Sequence, residues 1–297
     1  MSAATIPVSR WRPLAEAHRE EVSTELAEVV RRRDRGEKHP VDDFLFHYYN
    51  LRPSHLAQWH PGVGIAVEDD GSWPEPTYVV EAGGARLDAG WFLSKRAGTV
   101  ETAGRLLAAA AAREPRFGCF GMHEWAMVYR LDEGETRHPY LRLRYPPDEL
   151  ARIVEEVGCR CSHYDAFRFF TPPARPLNLL TPTRERQPEL DQPGCLHVNM
   201  DLYKWAGKLW PAVSSSLLLA TFRLARDIRV VDMRASAYDL GDWGYPPIPV
   251  ETAEGRAEYA RLQRAFADRA QPLRNDLVTV VQRLRRGEQK SGKFLTT

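Results

Sequence analysis

Three short stretches of this chain gather carboxylates, imidazoles and amines at spacings that suit acid–base chemistry. The first is Gly121-Met122-His123-Glu124-Trp125-Ala126-Met127-Val128-Tyr129. A helix starting near Gly121 buries Met122, Trp125, Ala126 and Tyr129 and leaves His123 and Glu124 in an exposed first turn, where a carboxylate beside an imidazole works as general acid or base. Complementing the helix dipole is the plainer role for Glu124. In the second stretch, residues 161–170, strand alternation puts His163, Asp165, Phe167 and Phe169 on one face and Tyr164, Ala166, Arg168 and Phe170 on the other. That sets a His–Asp pair against an aromatic wall, either for polar chemistry or as a satisfied buried hydrogen bond. The third stretch, residues 195–210, reads as a helix capped by Asn199, with Leu202, Trp205 and Leu209 toward the core. Asp201, Lys204 and Lys208 then share the opposite face. Such a face holds a phosphodiester while offering a carboxylate to a developing cation, although an exposed ion pair explains the same spacing.

Other signatures fail. His123-Glu124 has Met127 where a zincin helix needs its second histidine, and neither a P-loop nor a complete dinucleotide fingerprint exists. His60-Pro61-Gly62-Val63-Gly64 resembles the phosphate-holding hairpin of helix-hairpin-helix DNA glycosylases, but acids and prolines replace the helix that should follow, so an ordinary turn is expected. Cys159-x-Cys161-x-His163, Cys195-x-His197 and Cys119-x3-His123 supply enough soft ligands for one tetrahedral zinc. Their spacing is unusual, and scattered cysteines are more often small buried hydrophobes. No metal is expected.

The elements that must position these residues are mostly helical. Leu14, His18, Val22, Leu26 and Val29 recur at helical spacing after Pro13. A short helix is expected over 41–51, strands over 78–81 and 86–93 around Gly83-Gly84, and a helix over 100–113. Residues 139–144, 147–157 and 163–170 read as strand, helix and strand. Six prolines between 171 and 194 exclude a regular helix or central strand there. Beyond lie helices over 199–209 and within 213–238, a loop over 241–249, and an amphipathic helix from about Thr252. Its stripe is Tyr259, Leu262, Phe266, Leu273, Leu277, Val281 and Leu284, with an interruption possible at Pro272. The expected fold class is mainly α with a small α+β portion and a helical C-terminal third. The expected organisation is an N-terminal α+β part (1–170), a Pro-rich connection (171–194) and a helical C-terminal part (195–297), forming one compact unit.

The 297 residues suffice for a large core, and 43% hydrophobic with 27% charged residues are ordinary globular values. No apolar stretch approaches the roughly 20 residues that span a bilayer. Arg10, Arg12 and Glu16 precede any apolar run of signal-peptide length, so a cytoplasmic location is expected. Four cysteines are few, which suits free thiols. A net charge of +1 excludes a histone-like polyanion binder, so any nucleic-acid site must come from local clustering. Arginine dominates, with 35 arginines against six lysines. Its planar fork binds phosphate and stacks on bases. From 261 to 297 nine basic residues face three acids.

Tyr48-Tyr49-Asn50-Leu51-Arg52-Pro53, Trp59-His60-Pro61-Gly62, the 121–129 segment, His138-Pro139-Tyr140-Leu141-Arg142-Leu143-Arg144 and the 197–210 segment together resemble a group of bacterial proteins of similar length, frequent in actinobacteria, that carry the label 3-methyladenine DNA glycosylase. The resemblance implies hydrolysis of the N-glycosidic bond of an alkylated or otherwise modified base, flipped out of DNA, in repair or phage defence. It brings no residue assignments. On this chain's own residues, Asp201 first and Glu124 second would stabilise the oxocarbenium-like sugar and activate water, with His163 or His197 as proton-transfer partner. Asn199 would read the base edge, and Trp125, Asp165, Phe169 and Tyr203 would surround the base. Arg142, Arg144, Arg168, Lys204 and Lys208 would bind phosphates. The expected partner is DNA with a modified base, with no cofactor, membrane or obligate protein partner. The alternatives are a non-enzymatic nucleic-acid-binding module and a hydrolase or transferase of a nucleoside or other small polar substrate.

Overall fold

The computed structural model describes residues 5–132 and 134–291. The protein is mainly α-helical with one small sheet among these residues, and its C-terminal region is helical, as expected. No described helix is long and apolar enough to cross a membrane. Two compact units draw on interleaved stretches of chain. Among the described residues, one comprises 5–108, 202–222 and 273–291; the other comprises 109–201 and 223–272.

The first unit opens with α1 (Val8–Asp34), whose Trp11, His18, Val22, Leu26 and Val29 are buried. Trp11 takes the place expected of Leu14, which is half exposed, and Pro13 lies inside the helix rather than at its start. A buried imidazole needs a partner, and His18 Nε2 is 2.8 Å from the Leu56 carbonyl oxygen. The short helices α2 (Asp42–His47) and α3 (Pro53–Ala57) follow. Strands β1 (Ala66–Glu68) and β2 (Tyr78–Glu81) flank β3 (Gly84–Leu87), both antiparallel to it. Trp11, Val67 and Ala85 form the core beneath the sheet, with Trp59 and Trp73 packed against them.

The hairpin turns on Ala82 and Gly83, both at positive φ, one residue earlier than expected. β3 stops at Leu87, not 93, because Asp88 caps α4 (Ala89–Ala111): its carboxylate accepts the Trp91 amide at 3.0 Å. The Gly62-Val63-Gly64 turn is an internal clasp. Val63 N donates to the Ala212 carbonyl at 2.8 Å, and a Cβ on Gly62 would lie 2.9 Å from Ser214 N. As expected, no helix follows it.

The second unit holds α5 (Met122–Ala126), α6 (Pro147–Val157), α7 (Tyr164–Phe167), α8 (Gln187–Leu190), the last residues of α4 and parts of three further long helices. These are α9 (Leu196–Lys208), α10 (Ser215–Arg234) and α11 (Ala253–Ser291). α6 matches the expected bounds, opened by Pro147 and closed at Gly158 with φ 71°. The strand expected over 163–170 is instead α7. Phe167 N and Arg168 N bond back to His163 O and Tyr164 O, so the backbone is satisfied locally without a neighbouring strand. Residues 139–144 contribute only a bridge between Leu143 and Tyr238. The Pro-rich stretch lies inside this unit, with a 3-10 turn (Pro172–Leu177) and α8. α11 runs through Pro272 unbroken and buries Tyr259, Phe266, Leu277, Val281 and Leu284, leaving Leu262 and Leu273 part-exposed.

Candidate active site: a buried histidine–carboxylate cluster beside an arginine-rimmed cavity

Within the second unit, α5, the first turns of α9 and the last turns of α10 bring titratable groups together. α5 starts from two consecutive left-handed residues, Phe120 and Gly121. At Gly121 a Cβ would also meet Ala235 and Tyr259 at 3.3 Å, so glycine permits both the turn and the close approach. The turn buries every residue of α5, and Trp125 Nε1 donates to the Ala235 carbonyl at 2.8 Å. His123 and Glu124 are therefore not the exposed pair the pattern predicts. On α10, Arg229 and Asp232 continue the buried stripe of Ala225 and Ile228.

The hydrogen bonds close a network. His123 Nε2 lies 2.8 Å from Asp232 Oδ1. Arg229 Nη1 donates to Glu124 Oε1 at 3.0 Å and to Asp232 Oδ2 at 2.7 Å. The His197 ring stands edge-on to His123 at 4.4 Å and is stacked with His163 at 5.4 Å. His163 Nε2 is in turn 3.4 Å from Asp201 Oδ2. Three imidazoles thus form a row between two carboxylates.

Burial and charge set the protonation states. Burial raises the Glu124 carboxyl above the usual range, against the opposing pull of Arg229. At Asp232 burial also pushes upward, but His123, His197 and Arg229 outweigh it and hold the carboxyl well below the usual range. Burial, then the neighbouring His123, pushes His197 down to about 3, which keeps it neutral at physiological pH. Burial raises the Cys119, Cys161 and Cys195 thiols, so none is a ready thiolate.

A cavity of about 490 Å³ lies beside this network, and His123 forms part of its wall. Arg113, Arg116 and Arg160 bring positive charge to it, partly offset by Glu114 and Glu189, while Leu179, Leu180 and Leu190 supply apolar surface. The lining is braced by Gln192. Its Oε1 accepts the Arg116 and Gly194 amides, both at 2.8 Å, and its Nε2 donates to the Arg116 carbonyl at 3.2 Å. Gly194 is required there, because a Cβ would sit 2.4 Å from the Arg116 carbonyl oxygen. This arrangement can draw an anionic ligand against the arginines and present an imidazole backed by a carboxylate to it.

The other predicted site residues are placed differently from expectation. Asp201 is buried rather than on an open polar face, and Asn199 is no cap: it lies inside α9, with Nδ2 donating to the Pro193 carbonyl at 2.9 Å. Lys204 and Lys208 lie 5.4 and 5.5 Å from the Trp205 ring. Tyr203 is buried between Tyr49 and Phe222 in the first unit. The guanidinium carbons of Arg137 and Arg168 lie 3.5 and 4.0 Å from the Phe169 ring centroid, and Asp165 pairs with Arg168 at 3.1 Å. Arg144 is committed to Glu251 in a largely buried pair, whereas Arg142 meets Asp242 at 3.2 Å on the open surface. Trp125, Phe169 and Tyr203 do not line the cavity.

Sequence reasoning missed Arg229 and Asp232, and with them the cavity arginines 113, 116 and 160. The signal for the first pair was polar residues at core-stripe positions of an amphipathic helix; the arginines sit in irregular chain with no periodicity to flag them. No family model matches this chain, and neither a curated protein nor a solved structure is significantly similar to it.

Proposed function

We propose that the protein is a hydrolase of the N-glycosidic bond of a modified base in DNA, with its active centre where His123 meets the cavity. One observation carries the reading: a base-sized to nucleoside-sized cavity with three arginines in its lining and a buried His–Asp–Arg–Glu network at its wall. The arginines suit the phosphates that flank an extruded nucleotide, and the leucines suit the faces of a planar base. The network supplies activation of the attacking water and negative charge toward an oxocarbenium-like sugar. In this reading Asp232, 2.8 Å from His123 Nε2 at the cavity wall, backs the imidazole, with Glu124 joined to it through Arg229, and Asp201 is not the catalytic carboxylate. The resemblance to glycosylase-labelled bacterial proteins supports the same substrate class.

The test is mass spectrometry of bases released from alkylated DNA and from phage DNA carrying hypermodified cytosine. Release from the first alone assigns the protein to repair, and release from the second alone assigns it to defence. No release from either rejects the glycosylase reading. The cavity volume also fits a free nucleotide. Release of base from mononucleotides but not from DNA selects that second reading.

A further inference from the structure

We propose that His123, Glu124, His197 and Asp232 form a binding site for a divalent transition-metal ion. One donor atom from each of these four buried residues lies within 4.8 Å of the other three. Two imidazoles and two carboxylates are the borderline donor set that takes Zn²⁺, Fe²⁺, Mn²⁺ or Co²⁺ rather than a hard all-oxygen cation. Among the described residues no cysteine belongs to the group, so the soft-ligand zinc site suggested by the Cys-x-Cys spacing is not where the donors converge.

A second observation points to a ligand. His197 is 8% exposed, its ring packs against those of His123 and His163, and one of its ring nitrogens lies within 4.8 Å of a Glu124 and an Asp232 oxygen. An imidazole at that depth ordinarily has a partner supplied by the interior. A cation among the four donors provides it and takes the place of the proton that His123 and Asp232 share.

The charges fit as well. Two carboxylates face the single guanidinium of Arg229. A divalent ion would supply the cationic charge that one guanidinium does not give to both carboxylates. Arg229 then orients both carboxylates from behind, the arrangement by which outer partners fix metal ligands. The inference uses the site of the proposed reaction but not its substrate.

The experiment is titration of EDTA-treated full-length protein with Co²⁺, followed by visible absorption and by thermal melting. The expected result is saturable binding of one ion with visible ligand-field bands and a higher melting temperature. His197→Gln should weaken binding at least tenfold while keeping the far-UV circular dichroism of the wild type, and Cys161→Ser and Cys195→Ser should leave it intact. Absence of both bands and stabilisation, with Zn²⁺ and Mn²⁺ equally without effect, overturns the site, as does unchanged binding by His197→Gln. Cobalt binding without base release keeps this site and removes the proposed reaction. Base release by metal-free protein that binds no cobalt does the reverse.

Discussion

Replacing Arg229 by methionine is the most informative single perturbation of the buried network. Its Nη1 serves Glu124 at 3.0 Å and Asp232 at 2.7 Å, and the three side chains are 2%, 8% and 0% exposed. Methionine fills much of the same volume but leaves two carboxylates in low dielectric without their cation. Removing one partner of such a buried pair costs about 3–5 kcal/mol. For a domain of this scale, with about 2–4 °C per kcal/mol, the melting temperature should fall by roughly 6–20 °C. Urea denaturation and thermal melting, both in EDTA, measure it. Adding Glu124→Gln should recover part of the loss, because a neutral amide no longer needs the guanidinium.

The pH dependence supplies an independent sign. Burial already raises the folded-state pKa of Glu124, and loss of Arg229 raises it further. A carboxyl raised in the folded state is stabilising below its unfolded pKa and destabilising above its folded pKa. The deficit of Arg229→Met relative to wild type should therefore shrink as pH falls from 7 toward 5. A variant within about 1 kcal/mol of wild type at pH 7, or a deficit that grows on acidification, would refute the account of the network as a charge-compensated unit.

Three further outcomes follow from other parts of the molecule. His60 is pushed down to about 4 by burial, with its Nδ1 2.6 Å from the Tyr78 hydroxyl, so the neutral ring is favoured in the fold. A depressed histidine stabilises above its unfolded pKa and loses that contribution as pH falls from about 6.5 to 4, here up to about 3 kcal/mol; His60→Asn should flatten that limb of the stability curve. Arg160 lines the cavity and makes no ion pair among the described residues, so Arg160→Ala should weaken DNA binding and lower the salt slope by about one phosphate contact. An unchanged slope between 50 and 200 mM salt, on the order of the range in which such contacts are read, would remove Arg160 from the interface. Asp201 faces His163 and does not line the cavity, so Asp201→Asn should leave single-turnover base release within a few-fold of wild type while lowering stability. Abolished release by a folded variant would return the catalytic assignment to Asp201.

Much of this architecture was legible in the sequence because helices are local objects. The stripe from His18 to Val29 gives α1, Pro147 and Gly158 bound α6, and the apolar spacing after Thr252 gives α11. Each rests on bonds between residues four apart. The same local logic singled out His123, Glu124, His163 and His197, since a cluster of titratable types in one segment is visible without a fold. It erred where tertiary context chose between local states. The alternation over 163–170 found no neighbouring strand, and the polar first turn of α5 was taken into the core by the Phe120-Gly121 reversal. Arg229 and Asp232, three residues apart on one helix, have the spacing of an ordinary surface ion pair. Only the packed chain places them against His123 and Glu124, more than a hundred residues away. Periodicity fixes which face of a helix is buried, but which buried faces meet depends on long-range packing that leaves no periodic trace in the chain.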